Sequence, residues 1–477
     1  MKDVGQVKSQ IGLKKNWWLV AILGLLLIPG CRPTDPPQKA PTSVSDLENS
    51  FETIKNMGLQ QERAQEFLKA IAAVGGRLTG SPEASRAVEI ATKLMTTLGL
   101  DRVTTEPVEV GRWVRGEKEQ ALVKSQQFGW QSLNICALGN SQGTPADGLE
   151  AGVVEISSLE ELATRKDRVA GRIVFYNTPM DRTTIEPFAA YGRAAQFRVH
   201  GASQAAKFGA VGVVVRSNTF RQDDNPHTGL MEYDRNWPAI PAAAISTVGA
   251  ERLHLWLQQD PELKLWIRMN CRQEKPVVSA NVIGQLTGVE KPEEVILVGG
   301  HLDSWDLGSG AHDDASGCAV ALEVLRLIKE AGLKPKRTIR AVLFMDEEFG
   351  GTGGRAYAAS EARRGEKHLV AIEQDRGGFA PLGLAFSRED LALKLQPLEE
   401  YLRPLGINWI RTGGGGVDVA PLKEQGTVLG ALIPEAQRYF DYHHCALDVA
   451  EAVHPRELEL QAVVLALVVY YLAQEGI

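Results

Sequence analysis

Cysteine is scarce in this chain, with five residues among 477. No two of them form a CxxC pair, so the paired-thiol signature of a redox motif or a thiolate metal site is absent. A basic stripe is also missing: the formal net charge is −7, which argues against a nucleic-acid partner. No internal repeat is visible. The apolar run near the start, Trp17 to Ile28, is too short to span a bilayer as a mature helix. What remains has the charged and apolar fractions of a globular protein and more chain than one typical core needs, so two domains are expected.

The start has the layout of a targeting segment. Lys2, Lys8, Lys14 and Lys15 precede the apolar run, and Ile28-Pro29-Gly30-Cys31 follows it. The pattern resembles a bacterial lipoprotein signal over 1–31, with Cys31 carrying the lipid and a proline-rich tether over 32–45. An ordinary signal peptide or an uncleaved anchor is the alternative. Arg32 does not resemble an inner-membrane retention signal, so in a cell with two membranes the outer one is favoured. Export permits disulfides. Cys136, Cys271, Cys318 and Cys445 allow three pairings with nothing to choose among them, and buried free thiols are equally open.

Hydrophobic periodicity organises the rest. Residues Asp46 to Leu100 read as helical, with Arg77 to Pro82 (RLTGSP) as a turn, and Val103 to Val110 alternates as a strand. From about 118 to 273 the chain changes to short β runs at Val153 to Ile156, Arg172 to Tyr176 and Val211 to Val215, with an alanine-rich helix Gln196 to Phe208. His200 and His227 stand alone there and read as surface or hydrogen-bonded residues. After Pro276 regular α/β alternation returns. Val282 to Leu286, Val295 to Val298, Thr338 to Met345, Leu369 to Ile372 and Val428 to Ile433 are the expected strands, and Pro455 to Ala473 is a long final helix. The expected fold is α/β: a mixed central sheet flanked by helices, built from 46–117 and 274–477, with a smaller α/β domain inserted at 118–273.

Polar clusters fall where these strands end. Val295 to Val298 reads as a strand buried on both faces, and His301 and Asp303 follow it, then a Gly/Ser-rich loop with Asp313 and Asp314. Open α/β sheets place ligand sites at such strand ends. Imidazole and carboxylate groups suit borderline and hard divalent metals. Glu347 and Glu348 end another strand, Asp375 a third, and Tyr442-His443-His444-Cys445 precedes the last helix. Adjacent buried glutamates are costly unless a cation or proton neutralises them.

The ordered set His301, Asp303, Asp313, Glu347-Glu348, Asp375 and His444 resembles the dizinc exopeptidases of peptidase family M28. RLTGSP and GAHDDASG resemble the family too, and HGASQAAKFGAVGVVVRS with PHTG resembles a protease-associated domain at 118–273. The resemblance implies two zinc ions bridged by Asp313, with His301 and Asp375 completing one site and Glu348 and His444 the other. It implies Glu347 as the general base acting on a metal-bridging hydroxide, and a cis Asp313-Asp314 peptide. Asp303 would orient His301, and Asp448 would orient His444. Many members carry tyrosine where this chain has His443, which is left as an oxyanion donor or a packing residue. Neighbouring side chains on a loop ordinarily point apart, so His443 and His444 are not expected at one metal. The implied function is hydrolysis of short peptides or dipeptides with a free terminus by an exported, lipid-anchored enzyme that forms a homodimer. Rival readings are a metal-free receptor-like protein and single-zinc glutaminyl cyclisation on the same fold.

Overall fold

Residues 44–477 are described by the computed structural model. The targeting run, Cys31 and most of the proposed tether lie outside the described residues.

Eight strands make the first sheet. Its centre is four parallel strands, Arg337–Phe344, Lys291–His301, Lys367–Glu373 and Val428–Pro434, side by side in that order. Their apolar runs are continuous because helices cover both faces. Val295, Ile296, Leu297 and Val298 are all fully buried. Antiparallel strands flank the centre: Arg272–Leu286 and then Arg102–Val114 on one side, Pro381–Phe386 on the other, with Trp409–Thr412 beyond it. The helix Ser316–Glu330 lies against the sheet and packs on the final helix Pro455–Glu475. That last helix is long and apolar enough to cross a membrane, with a mean hydropathy of 1.4. Yet 83% of its apolar window is buried inside the protein, as expected of a core helix.

The chain leaves the first sheet after Val114 and returns at Arg272. Between those points it builds a second eight-stranded sheet. Leu149–Ile156, Ile173–Tyr176, Gly212–Arg216 and Ala242–Ile245 line up in parallel within it. The helix Pro187–Ala206 opens with proline and is capped by Glu186, whose carboxylate accepts from the amides of Phe188 and Ala189. Cys136, Cys271, Cys318 and Cys445 are all buried free thiols.

Candidate metal centre

The ligand-type residues singled out above, from His301 to His444, sit at the carboxyl ends of three of the central strands, in the turn Ala311–Ala315 before the helix Ser316–Glu330, or on the loop before the final helix. His301 is the last residue of its strand and fully buried. Its Nε2 lies 3.2 Å from Asp313 Oδ1 and 3.5 Å from Asp375 Oδ1. On the other side, His444 Nε2 is 3.2 Å from Asp313 Oδ2 and 3.2 Å from Glu348 Oε2. Asp313 is therefore common to two clusters. One ligand atom from each of His301, Asp313 and Asp375 lies within 4.8 Å of the others, and the same holds for Asp313, His443 and His444. The Asp313-Asp314 peptide is cis.

The loops are pinned from below by residues whose role no spacing displays. Arg77, fully buried, donates from Nε to the Leu302 carbonyl at 2.7 Å, from Nη2 to the Gly310 carbonyl at 2.9 Å and from Nη1 to that of Ser309. RLTGSP is thus more than a turn: its arginine clamps the whole loop between His301 and Asp313. Thr79 of the same motif donates to Asp303 Oδ2 at 2.6 Å.

Asp303 and Asp448 do different work from that expected. The Asp303 carboxylate stands 3.8 Å from His301 Nδ1, and it is the Asp303 backbone carbonyl that meets that nitrogen, at 3.0 Å. The carboxylate itself accepts from the amides of Asp346, Glu347 and Glu348 at 2.9, 3.2 and 3.3 Å. With Asp346 in a left-handed conformation at φ 76°, it shapes the turn that presents the two glutamates. Asp448 does not orient His444. Its carboxylate accepts from the amides of His312 at 2.7 Å and Asp313 at 3.2 Å, so its capacity is spent on the shared aspartate's backbone.

His444 is held instead by the segment at 226–229. Its Nδ1 lies 3.3 Å from the Thr228 carbonyl, the Thr228 amide donates to the His444 carbonyl at 3.0 Å, and His227 Nδ1 is 2.7 Å from the His443 carbonyl. His227 is thus a buried hydrogen-bonding residue. Trp305 Nε1 donates to Glu348 Oε2 at 2.5 Å. The expectation that His443 and His444 point apart is overturned. His444 adopts a left-handed φ of 63°, which swings both rings to one side, where they stack with centroids 3.5 Å apart. His443 Nε2 lies 3.7 Å from Asp313 Oδ2 and has no such approach to Glu348.

Burial and crowding drive the proton affinities apart. Burial raises Glu347 well above the ordinary carboxylate range, and the charges of Asp375, Glu348 and Asp418 add to it against the pull of His301. Burial opposes charge on His444, but Glu348 and Asp313 outweigh it and carry the imidazole up to about 10. Burial and the neighbouring His444 hold His443 well below the usual histidine range. Asp313 Oδ2, Glu348 Oε1 and Asp375 Oδ1 are buried without a hydrogen-bond partner. Imidazoles and orphaned carboxylate oxygens gathered in two sets around one aspartate fit a pair of divalent cations.

Asp313, Glu347, Glu348, Asp375, His443 and His444 open onto a cavity of about 260 Å³. Its outer wall is aromatic: Phe188 and Tyr191 from the helix Pro187–Ala206 face Tyr439 and Phe440. None of these four, nor Arg198 beside them, stands out in the sequence, since an aromatic at helical spacing ordinarily reads as core.

Comparison with known proteins agrees with this geometry. Residues 281–469 match the model of peptidase family M28. Carboxypeptidase Q of Bos taurus is 34% identical over 430 residues, covering 90% of this chain and 89% of that protein. A peptidase M28 precursor from Shewanella amazonensis superimposes with a TM-score of 0.85 at 32% identity, over 91% of this chain and 98% of that one. A zinc aminopeptidase from Bacillus subtilis shares the fold at a TM-score of 0.61 and 20% identity, over 89% and 95% of the two chains. The chain belongs to peptidase family M28 and is a metallo-exopeptidase.

Proposed function

We propose that this protein is a two-zinc exopeptidase acting on short peptides with a free terminus. The observation that carries the reading is the shared carboxylate: Asp313 stands 3.2 Å from His301 on one side and 3.2 Å from His444 on the other. His301 and Asp375 would hold one ion, Glu348 and His444 the other, and Asp313 both. The chemistry such a pair supplies is Lewis-acid polarisation of a carbonyl and acidification of water. Glu347 opens onto the cavity beside Glu348, with its backbone fixed by Asp303, and takes the role of general base. It accepts a proton from the attacking water and returns it to the leaving amine. His443, kept neutral by burial and by its neighbour, has an N–H available for the oxygen of the tetrahedral intermediate. Retention of both ligand sets disfavours a metal-free receptor role and single-zinc cyclisation.

The segment 118–273 is read as a protease-associated domain whose contribution is to close the site. The aromatic wall on Pro187–Ala206 leaves room for little more than a short peptide. A dipeptide panel with and without a chelator tests this reading. Dipeptides are expected to be cleaved only without chelator, and intact casein to be a poor substrate. Efficient casein digestion, or turnover that survives metal removal, contradicts it.

The two adjacent histidines separate by substitution. His444→Ala is expected to lower metal content, because His444 alone lies between Asp313 and Glu348. His443→Ala is expected to keep both metals and cut kcat by up to about 10²–10³. Loss of metal in His443→Ala reverses the assignment. The proposal extends to export with a lipid on Cys31, which mass spectrometry of the N-terminal peptide checks.

A further inference from the structure

The two ligand sets rest on different parts of the fold. His301 and Asp375 belong to strand ends of the first sheet, and among the described residues neither is hydrogen-bonded to the segment between Val114 and Arg272. The side chains of Glu348 and His444 depend on that segment. Thr228 grips His444 through both its amide and its carbonyl. Glu348 is reached through Trp305, a buried residue whose indole N–H donates to Oε2 at 2.5 Å. The far end of the indole fills a slot left by Gly139: a Cβ built there would stand 1.9 Å from Trp305 Cη2 and 2.4 Å from Cζ3. Gly139 is itself fixed. Its amide donates to the Gly229 carbonyl at 2.9 Å, and its carbonyl accepts from the Met231 amide at 3.0 Å. One patch of backbone, Gly139 with 228–231, therefore seats both ligands. Arg115 secures the residue after Trp305, donating from Nε to both oxygens of Asp306 at 2.9 Å and from Nη1 to the Ala137 carbonyl at 2.8 Å.

We propose that the inserted segment sets the affinity of the metal site at Glu348 and His444 and leaves that at His301 and Asp375 alone, with Trp305 as the positioning residue that acts through Glu348. The inference rests on the two-zinc reading and divides its two sites by what supports them. An indole N–H is a donor only, so it holds the carboxylate in one orientation. A hydrogen bond to a charged, buried oxygen is among the stronger ones, and a ligand already turned the right way loses little freedom when an ion arrives. The slot matters as much as the donor. The indole lies between Phe349, with centroids 4.9 Å apart, and His444, at 5.5 Å, so it cannot shift without disturbing a ligand or its neighbour. Gly139 does not use a left-handed backbone, so a methyl group there would press on the tryptophan and leave the chain's own conformation unstrained.

The test follows zinc release from the loaded full chain as a chelating dye is titrated in, for wild type, Trp305→Phe and Gly139→Ala. Wild type is expected to give up two ions. In Trp305→Phe one ion is expected to leave about 10–100-fold more readily, the scale for loss of a group that orients a ligand, and the other to change by less than about threefold. Gly139→Ala is expected to do the same. Added to Trp305→Phe, Gly139→Ala should have little further effect, because the shorter phenyl ring leaves the slot empty. In His444→Ala, which has already lost that ion, Trp305→Phe should leave the remaining ion untouched. Equal weakening of both ions, no change in either, a full further loss in the double variant, or weakening of the remaining ion in His444→Ala overturns the proposal. Far-ultraviolet circular dichroism identifies a Gly139→Ala protein that has lost its fold, and Trp305→Phe then decides alone. A wild type that holds one ion or none sinks the two-zinc reading instead. If a single ion is lost in His444→Ala, its affinity in Trp305→Phe decides; if it is kept there, or no ion binds, the seat at Glu348 and His444 holds nothing and the proposal falls too.

Discussion

Glu347→Gln is expected to retain its metals and to lose kcat by about 10²–10⁴ or more, the range for removal of a positioned general base. The amide is nearly isosteric with the carboxyl, and the Glu347 backbone is fixed independently by Asp303, so the loop keeps its shape. Unlike Asp313 and Asp375, Glu347 makes no ion pair with a histidine among the described residues, whereas Glu348 lies 3.2 Å from His444. Glu348→Gln should therefore lower metal content. Zinc analysis and steady-state kinetics on the two variants decide between the neighbours. Metal loss in Glu347→Gln with full occupancy in Glu348→Gln means that the roles are exchanged.

Asp313→Ala carries the second large effect. Both clusters draw on its carboxylate, through Oδ1 toward His301 and Oδ2 toward His444. Removing it leaves two ligands for each ion, too few for a tight site. Activity is expected to fall to that of the metal-stripped protein, with neither ion retained. The backbone should survive, because Asp448 holds the amide of residue 313 and Asp314 accepts from the amides of His301 and Gly317. Far-ultraviolet circular dichroism alongside elemental analysis checks both halves. A variant that keeps one full equivalent of metal would show that the sites are independent.

The strands that carry this chemistry were legible because burial on both faces writes a continuous apolar run. Val295 to Val298 and Leu369 to Ile372 are examples, and the polar residues after them stand out by contrast. Pro381–Phe386 and Trp409–Thr412 were not legible. The first opens with proline and contains glycine, and the second is four residues long with two of them exposed. Ala242–Ile245 is a strand written almost entirely in alanine, a residue that favours helix, and its place between Gly212–Arg216 and Ile135–Ala137 makes it extended. At the site, the ligands were legible from residue type and order. Their supports were not, because Asp303 and Asp448 act on backbone amides, and an amide has no residue signature. Arg77 acts likewise on carbonyls. The stacking of His443 on His444 depends on one left-handed φ in a residue that is not glycine, a conformation set by the clamp at 226–229 rather than by local preference.

The proposed chemistry requires two ions, with Asp313 as the ligand they would share. Elemental analysis of active, soluble protein beginning after Cys31 tests that directly. About two zinc per chain are expected, falling together with activity as chelator is added. One metal per chain, or none, in fully active protein would contradict it.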